Sequence, residues 1–163
     1  MNIYQEIFTK LSGSGVKYMI VGGVAVNLYG FSRFTGDIDI ILALDNENLG
    51  KLEKLMHQMG YKERLPVSVK DLGDARKLKD FIVEKGMKAF TFISEEKPQL
   101  DIDIITKESM DFAQFEMRKT LIEVWGIELP VIDINDLIGM KRNAGRSKDK
   151  IDIEALLKLK ELS

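Results

Sequence analysis

Residues 18–44, YMIVGGVAVNLYGFSRFTGDIDIILAL, decide how this chain is read. An apolar run bounded by glycines predicts a central strand over Val16–Val21. Gly22 and Gly23 then turn the chain into a short buried helix, Val24–Tyr29, which Gly30 terminates. A loop carrying Arg33 and Thr35 leads to a second strand that opens on Asp37 and Asp39. Side chains alternate faces along a strand, so the two aspartates point the same way while Ile38, Ile40 and Ile41 pack elsewhere. Like charges side by side in a run of isoleucine repel, and each prefers water, so a cation belongs between them. Paired carboxylates suit a hard divalent ion, Mg²⁺ or Mn²⁺. The glycine turn supplies the complement, because it brings backbone close to a ligand and aims the amides of the next helix at it; a phosphate chain fits.

A second acidic strand lies further on. Lys88–Ser94 and Gln99–Thr106 read as two strands joined by a turn at Glu95–Pro98. In LDIDIIT, Asp101 and Asp103 share one face, and Ile102 and Ile104 the other. Either acid supplies the carboxylate on a neighbouring strand that a two-metal phosphoryl-transfer site requires, to hold one ion and to draw the proton from an attacking hydroxyl.

The rest of the chain reads as a frame. Ile3, Ile7, Phe8 and Leu11 mark a helix over residues 2–12. Asp45 or Asn46 caps an amphipathic helix reaching Met59, with Leu49, Leu52, Leu55, Met56 and Met59 inward. His57, the sole histidine, is given no role. Residues 61–88 predict a short strand near Tyr61–Arg64 and a helix over Asp74–Glu84, forming either a surface excursion or a substrate-facing lid. A helical turn is expected at Met110–Glu116, then a hairpin about Gly126, where Trp125 either stacks on a base or packs over the sheet edge. Asp133 caps a helix ending at Gly145, and Ser147 caps a last helix whose Ile151, Ile153, Leu156, Leu157 and Leu159 are expected in the core. Between the last two helices, Lys141, Arg142, Arg146, Lys148 and Lys150 stand against the single acid Asp149, a local excess that draws polyanions. Arg33 would neutralise a phosphate, clamp Asp37, or tie its loop down by a structural salt bridge.

At 163 residues the expectation is one domain spanning 1–163. A net charge of -2 argues against a dedicated nucleic-acid binder. With no cysteine, disulfides and thiolate metal sites are excluded. Gln5 and Glu6 break up the first residues, so neither a signal peptide nor a membrane anchor is read there, and a cytoplasmic location is expected.

The series Gly22-Gly23, Gly30, Arg33, Thr35 and Asp37-Ile38-Asp39 resembles the first motif of the nucleotidyltransferase superfamily, the fold shared with DNA polymerase beta and the antibiotic nucleotidyltransferases. It looks closest to the small AbiEii-like group, and DLIGMKRNAGRSKDKID (residues 136–152) resembles that group's C-terminal motif. The resemblance implies an α/β (α+β) fold, a mixed sheet of about five strands covered by helices, with further helices at the C-terminus. It implies metal ligation by Asp37, Asp39 and Asp103, with Asp101 as the alternative third acid. Gly22, Gly23, Arg33, Lys141 and Arg146 would contact the nucleotide, and Asp149 would orient Arg146. Many members carry a serine after the glycines; here Val24 stands there, so triphosphate binding would rest on backbone amides.

The expected activity is transfer of a nucleoside monophosphate from an NTP such as ATP to an acceptor, with Mg²⁺ or Mn²⁺ and release of pyrophosphate. The acceptor, whether protein, RNA or small molecule, is left open. The alternative is an inactive nucleotide-binding module of the same fold within a toxin-antitoxin or other partner-dependent system. A partner protein or a homodimer fits either reading.

Overall fold

The computed structural model describes residues 2–98 and 100–163. Its strands are β1 (Tyr18–Val21), β2 (Asp37–Leu42), β3 (Tyr61–Glu63), β4 (Ala89–Ser94), β5 (Asp101–Ile105), β6 (Thr120–Val124) and β7 (Ile127–Val131). They form one mixed sheet in the order β3-β4-β5-β2-β1-β7-β6. That is seven strands rather than about five. The additional ones lie toward the edges, where β3 has three residues and β6 alternates half-buried and exposed positions, so neither carries a core strand's apolar run. Gln99, the expected start of the second acidic strand, lies outside the described residues.

At the centre, β1 runs antiparallel to β2, β2 parallel to β5, and β5 antiparallel to β4. The registers Ile20↔Ile40, Ile40↔Ile104 and Phe90↔Ile104, with Ile38↔Ile102 and Phe92↔Ile102, lay one continuous apolar face. Every one of these side chains is buried. At about 1.5–3 kcal/mol for each buried aliphatic or aromatic side chain, this face is the main reason the centre of the sheet holds.

Helices close the structure, with the expected caps Asp45 and Asp133 in place. Asn2 accepts from Gln5 N–H to start α1 (Ile3–Gly13), which buries Ile7, Phe8 and Leu11. Asp45 caps α3 (Asn46–Gln58), and Asp133 caps α7 (Ile134–Ala144), which Gly145 ends in the left-handed conformation. Between α1 and α3 comes α2 (Gly22–Tyr29), packed against β1 and β2 and reached by α7 and by α8 (Ser147–Leu162). The expected helix over 74–84 divides into α4 (Ala75–Lys79) and a π-helical turn, Asp80–Glu84. Two short helices, α5 (Thr106–Ser109) and α6 (Phe112–Met117), replace the single turn expected before the hairpin.

Two expectations are corrected. The inward face of α8 is Asp149, Asp152 and Leu156, whereas Ile151 is 58% exposed and Leu157 38%. Arg146, not Ser147, occupies the cap position of α8, its backbone N–H held by the Asp149 carboxylate at 3.1 Å. The hairpin turn contains Trp125 and Gly126 themselves, both at positive φ, and the indole lies stacked on Phe8. His57 pairs with Glu63 at the surface. Among the described residues no helix is long and apolar enough to cross a membrane.

A buried amide ties the helical layer to the sheet. Asn48 on α3 accepts from Lys17 N–H at 2.7 Å and donates to the Lys17 and Ala43 carbonyls at 2.9 and 2.8 Å, joining the start of β1 to the end of β2. The Lys17 carbonyl also accepts from Ala43 N–H, so Asn48→Ala is expected to leave the Lys17 N–H and the Ala43 carbonyl without that partner and to destabilise the fold by about 2–4 kcal/mol, read from chemical denaturation.

Candidate active site

Parallel pairing of β2 with β5 sets Asp37 beside Asp101 and Asp39 beside Asp103. All four lie on the face opposite Ile38, Ile40, Ile102 and Ile104, as alternation requires; Ile41 and Ile105, further along the same strands, share the acids' face, which corrects the expectation that Ile41 packs away from them. Asp37 is exposed and Asp39 half-buried. Burial, then the charges of Asp103 and Asp37, push the Asp39 carboxyl up from 3.8 to about 7, against the opposing pull of Lys141 and Arg146. Asp103 is also raised, chiefly by burial and by Asp37 and Asp101; the Thr91 hydroxyl, which donates to its Oδ1 at 2.6 Å, works the other way.

Of the two candidate third acids, Asp103 is level with Asp39, while Asp101 is ion-paired to Arg64 at 2.6 Å. Among the described residues no group of three or more His, Cys, Asp or Glu side chains is arranged to hold a metal ion. Asp37, Asp39 and Asp103 stand as neighbouring acids that repel one another, with one oxygen of Asp103 turned to Thr91.

The Gly-Gly turn stands over this row. Gly22 has φ +66°, and a Cβ there would fall on the Asp39 Oδ2 atom. A Cβ on Gly23 would lie 2.5 Å from the Thr35 hydroxyl and 3.2 Å from Arg33 Nη2. Both glycines are thus required by close approach. Helix α2 begins at Gly22 with no side-chain cap, in contrast to α1, α3 and α7. Its first turn adjoins the end of the acid row, where Gly22 meets Asp39. Val24 is buried in the core.

Basic residues form the other wall. Arg33 grips Asp152 with two hydrogen bonds, Nε to Oδ1 at 2.7 Å and Nη2 to Oδ2 at 2.8 Å. Of the readings of Arg33 against an acid, the structural salt bridge holds and the clamp on Asp37 does not: the partner is on α8. Lys141, itself buried, reaches Asp152 at 2.9 Å and Asp149 at 3.4 Å. Arg146 pairs with Asp149 at 2.7 Å, the orienting contact expected of Asp149. Burial pushes the Asp149 carboxyl up, but the hydrogen bonds from Arg146 and the charge of Lys141 outweigh it and hold it below the usual range.

Asp152, Thr91 and Arg64 escaped the sequence reading. For Asp152 a signal existed: Asp149, Asp152 and Leu156 recur at helical spacing, so one buried position brings the others with it. For Thr91 and Arg64 the only clue is register, which the chain does not spell out.

A family model described as the nucleotidyl transferase AbiEii toxin of a type IV TA system matches residues 8–163. The chain belongs to the AbiEii nucleotidyl transferase family. No curated protein matches it by sequence. Solved structures with the same fold include the lincomycin-bound lincosamide antibiotic adenylyltransferase LnuA, 18% identical over 96% of this chain and 93% of that one, with a TM-score of 0.56. ANT(2″)-Ia in complex with adenylyl-2″-tobramycin is 14% identical over 96% of this chain and 86% of its own, at a TM-score of 0.61. A nucleotidyltransferase-like antigen of Paracoccidioides brasiliensis is 14% identical over 99% of this chain and 75% of its own, at 0.60. At these identities the structures establish the shared nucleotidyltransferase fold, and the family carries the enzyme class.

Gly22→Ala should cost about 2–3 kcal/mol from positive φ and overlap with Asp39, visible as a lowered melting temperature. Asp152→Ala leaves Arg33 without its partner and Lys141 short of one; a loss of about 3–5 kcal/mol is expected, measured by urea titration.

Proposed function

We propose that residues 1–163 form one nucleotidyltransferase domain that moves a nucleoside monophosphate from an NTP to an acceptor hydroxyl and releases pyrophosphate. One observation carries this reading: an acid row and a basic cluster face each other across the uncapped start of α2, closely enough that Lys141 and Arg146 oppose the upward shift of Asp39. Triphosphate oxygens would take the amides of the Gly22-Gly23 turn, with charge balance from Arg33, Lys141 and Arg146. Thr35, whose hydroxyl lies over Gly23, would supply the hydroxyl that Val24 lacks.

Asp37, Asp39 and Asp103 fit Mg²⁺ or Mn²⁺: the donors are all carboxylate oxygens, and their repulsion and burial are what a cation relieves. When bound, the ion supplies neutralisation of the phosphate oxygens. Asp103 would accept the hydroxyl proton, with Thr91 fixing its orientation.

The family's toxin description suggests a cognate partner protein for this chain as well. A binding-only member is favoured by one feature, that Arg33, Lys141 and Arg146 each already hold an acid. Titration of NTP with analysis of the recovered nucleotide separates the two: an enzyme consumes it, a binder returns it intact.

Asp39→Asn is expected to reduce transfer of label from the α-phosphate of ATP by at least about 10²-fold. Retained transfer would remove Asp39 from the site. Chelation should abolish the activity and Mg²⁺ or Mn²⁺ restore it. The same variant tests the electrostatics. The folded carboxyl titrates near 7 and the unfolded one near 3.8, so the native state binds more protons between these values and stability falls as pH rises through them. At about 1.4 kcal/mol per unit, the cost above pH 7 is on the order of 4 kcal/mol. Without divalent ions at pH 8, Asp39→Asn should therefore melt several degrees above wild type, and the gap should close near pH 3.

A further inference from the structure

Between β3 and β4 the chain leaves the sheet through a 3₁₀ turn (Val69–Gly73), α4 and the π-helical turn. On its return it encloses, with β4, a cavity of about 300 Å³. Leu65, Phe81 and Met87 are among its apolar walls, and Arg64, Lys85 and Thr91 line it as well. Its position ties it to the acid row: Thr91 donates to Asp103, and Arg64 is paired with Asp101. A molecule seated here lies behind the carboxylates, on the side away from the Gly22-Gly23 turn, since β4 pairs with β5 on the edge opposite β2.

Charge and shape narrow the occupant. Among the described lining residues the ionisable ones are the cations Arg64 and Lys85. Their acid partners are Asp101, which belongs to the acid row, and Asp80 at 3.6 Å, neither of which lines the cavity. The Lys85 ammonium lies 5.5 Å from the centre of the Phe81 ring, so the positive charge sits directly above an apolar floor. The volume is at the small end for ligand sites, room for a compact one- or two-ring body rather than for a large antibiotic. The π-helical turn that brings Phe81 to the wall is itself a rare form, frequent at functional sites.

We propose that this cavity seats the acceptor, and that the acceptor is a hydroxyl compound with a ring-sized apolar body and an anionic group. A polycationic acceptor would meet two like charges. The inference rests on the transfer reading above: the acceptor's hydroxyl oxygen bonds to the α-phosphorus, the bond from that phosphorus to pyrophosphate breaks, pyrophosphate leaves with the electron pair, and the hydroxyl proton passes to Asp103.

The test uses three probes of similar size that differ in charge: para-hydroxymethylbenzoate, para-hydroxymethylbenzamide and para-hydroxymethylbenzylammonium. Saturation-transfer NMR on the full chain should show the benzoate bound, the benzamide roughly tenfold weaker and the benzylammonium weakest. Lys85→Glu, at a side chain 63% exposed and so tolerant of exchange, should level or invert that order. With ATP labelled at the α-phosphate, the benzoate should be the preferred acceptor. A benzoate that does not bind at millimolar concentration, or an order unmoved by Lys85→Glu, overturns the proposal. Binding that depends on Lys85 without labelling, while ATP is still cleaved, overturns the acceptor role. If ATP is not cleaved at all, the transfer reading falls, while Lys85-dependent binding still upholds the cavity's preference for anions.

Discussion

The in-register parallel pairing of β2 with β5 is the constraint on which the rest depends. It places two acids of one strand against two of the next, an arrangement that electrostatics alone would drive apart. The opposite face of the same strands holds them: Ile38, Ile40, Ile102 and Ile104 are all fully buried. At about 1.5–3 kcal/mol each, those four side chains outweigh a cost on the order of 4 kcal/mol for keeping Asp39 half-buried among its neighbours. A slip of one residue in either strand would turn the isoleucines to the acid face, so register and charge placement are one property.

The second half of the site depends on the first. Because Asp39 lies directly beneath Gly22, the entrance to α2 must be glycine, and with Thr35 and Arg33 over Gly23 the second position must be glycine too. The helix start, with no side-chain cap of its own, thus lies between the acids and the basic cluster, against Asp39, Thr35 and Arg33. That cluster is closed from the far end of the chain: Asp152 of α8 holds Lys141 of the preceding helix α7 and, across 119 residues, Arg33 of the loop, so all three share one buried carboxylate. No buried side-chain nitrogen or oxygen among the described residues is left without a partner, which is the condition under which so charged an interior is tolerated.

What could be read in advance follows from the range of each signal. The stretch 18–44 carries its own strand, turn, helix and paired acids within one contiguous unit, and Asp45, Asp133 and Gly145 announce helix ends through local signals. Long-range partners were not legible. Arg33 meets Asp152 across 119 residues, and nothing near either one names the other. On α8 the buried acids invert the usual inference, since Asp149 and Asp152 take the inward face that the apolar Ile151 and Leu157 seemed to claim. A helix that pairs buried cations has its polarity reversed at one end, and hydrophobic spacing misplaces its face for that reason.

The three cations are not equivalent, and burial separates them. Lys141 has a side chain only 6% exposed and is held between two acids, so it cannot swing out; it acts through its field, as the fixed counter-charge that moderates Asp39. Arg33 has three of its donors committed, to Asp152 and to the Phe34 carbonyl, and is a brace for the loop that carries Thr35 over Gly23. Arg146 alone has a side chain more than half exposed, anchored on one side by Asp149. In the transfer reading it is the guanidinium with freedom to turn toward a phosphate. The other two set the potential and the geometry into which that phosphate arrives.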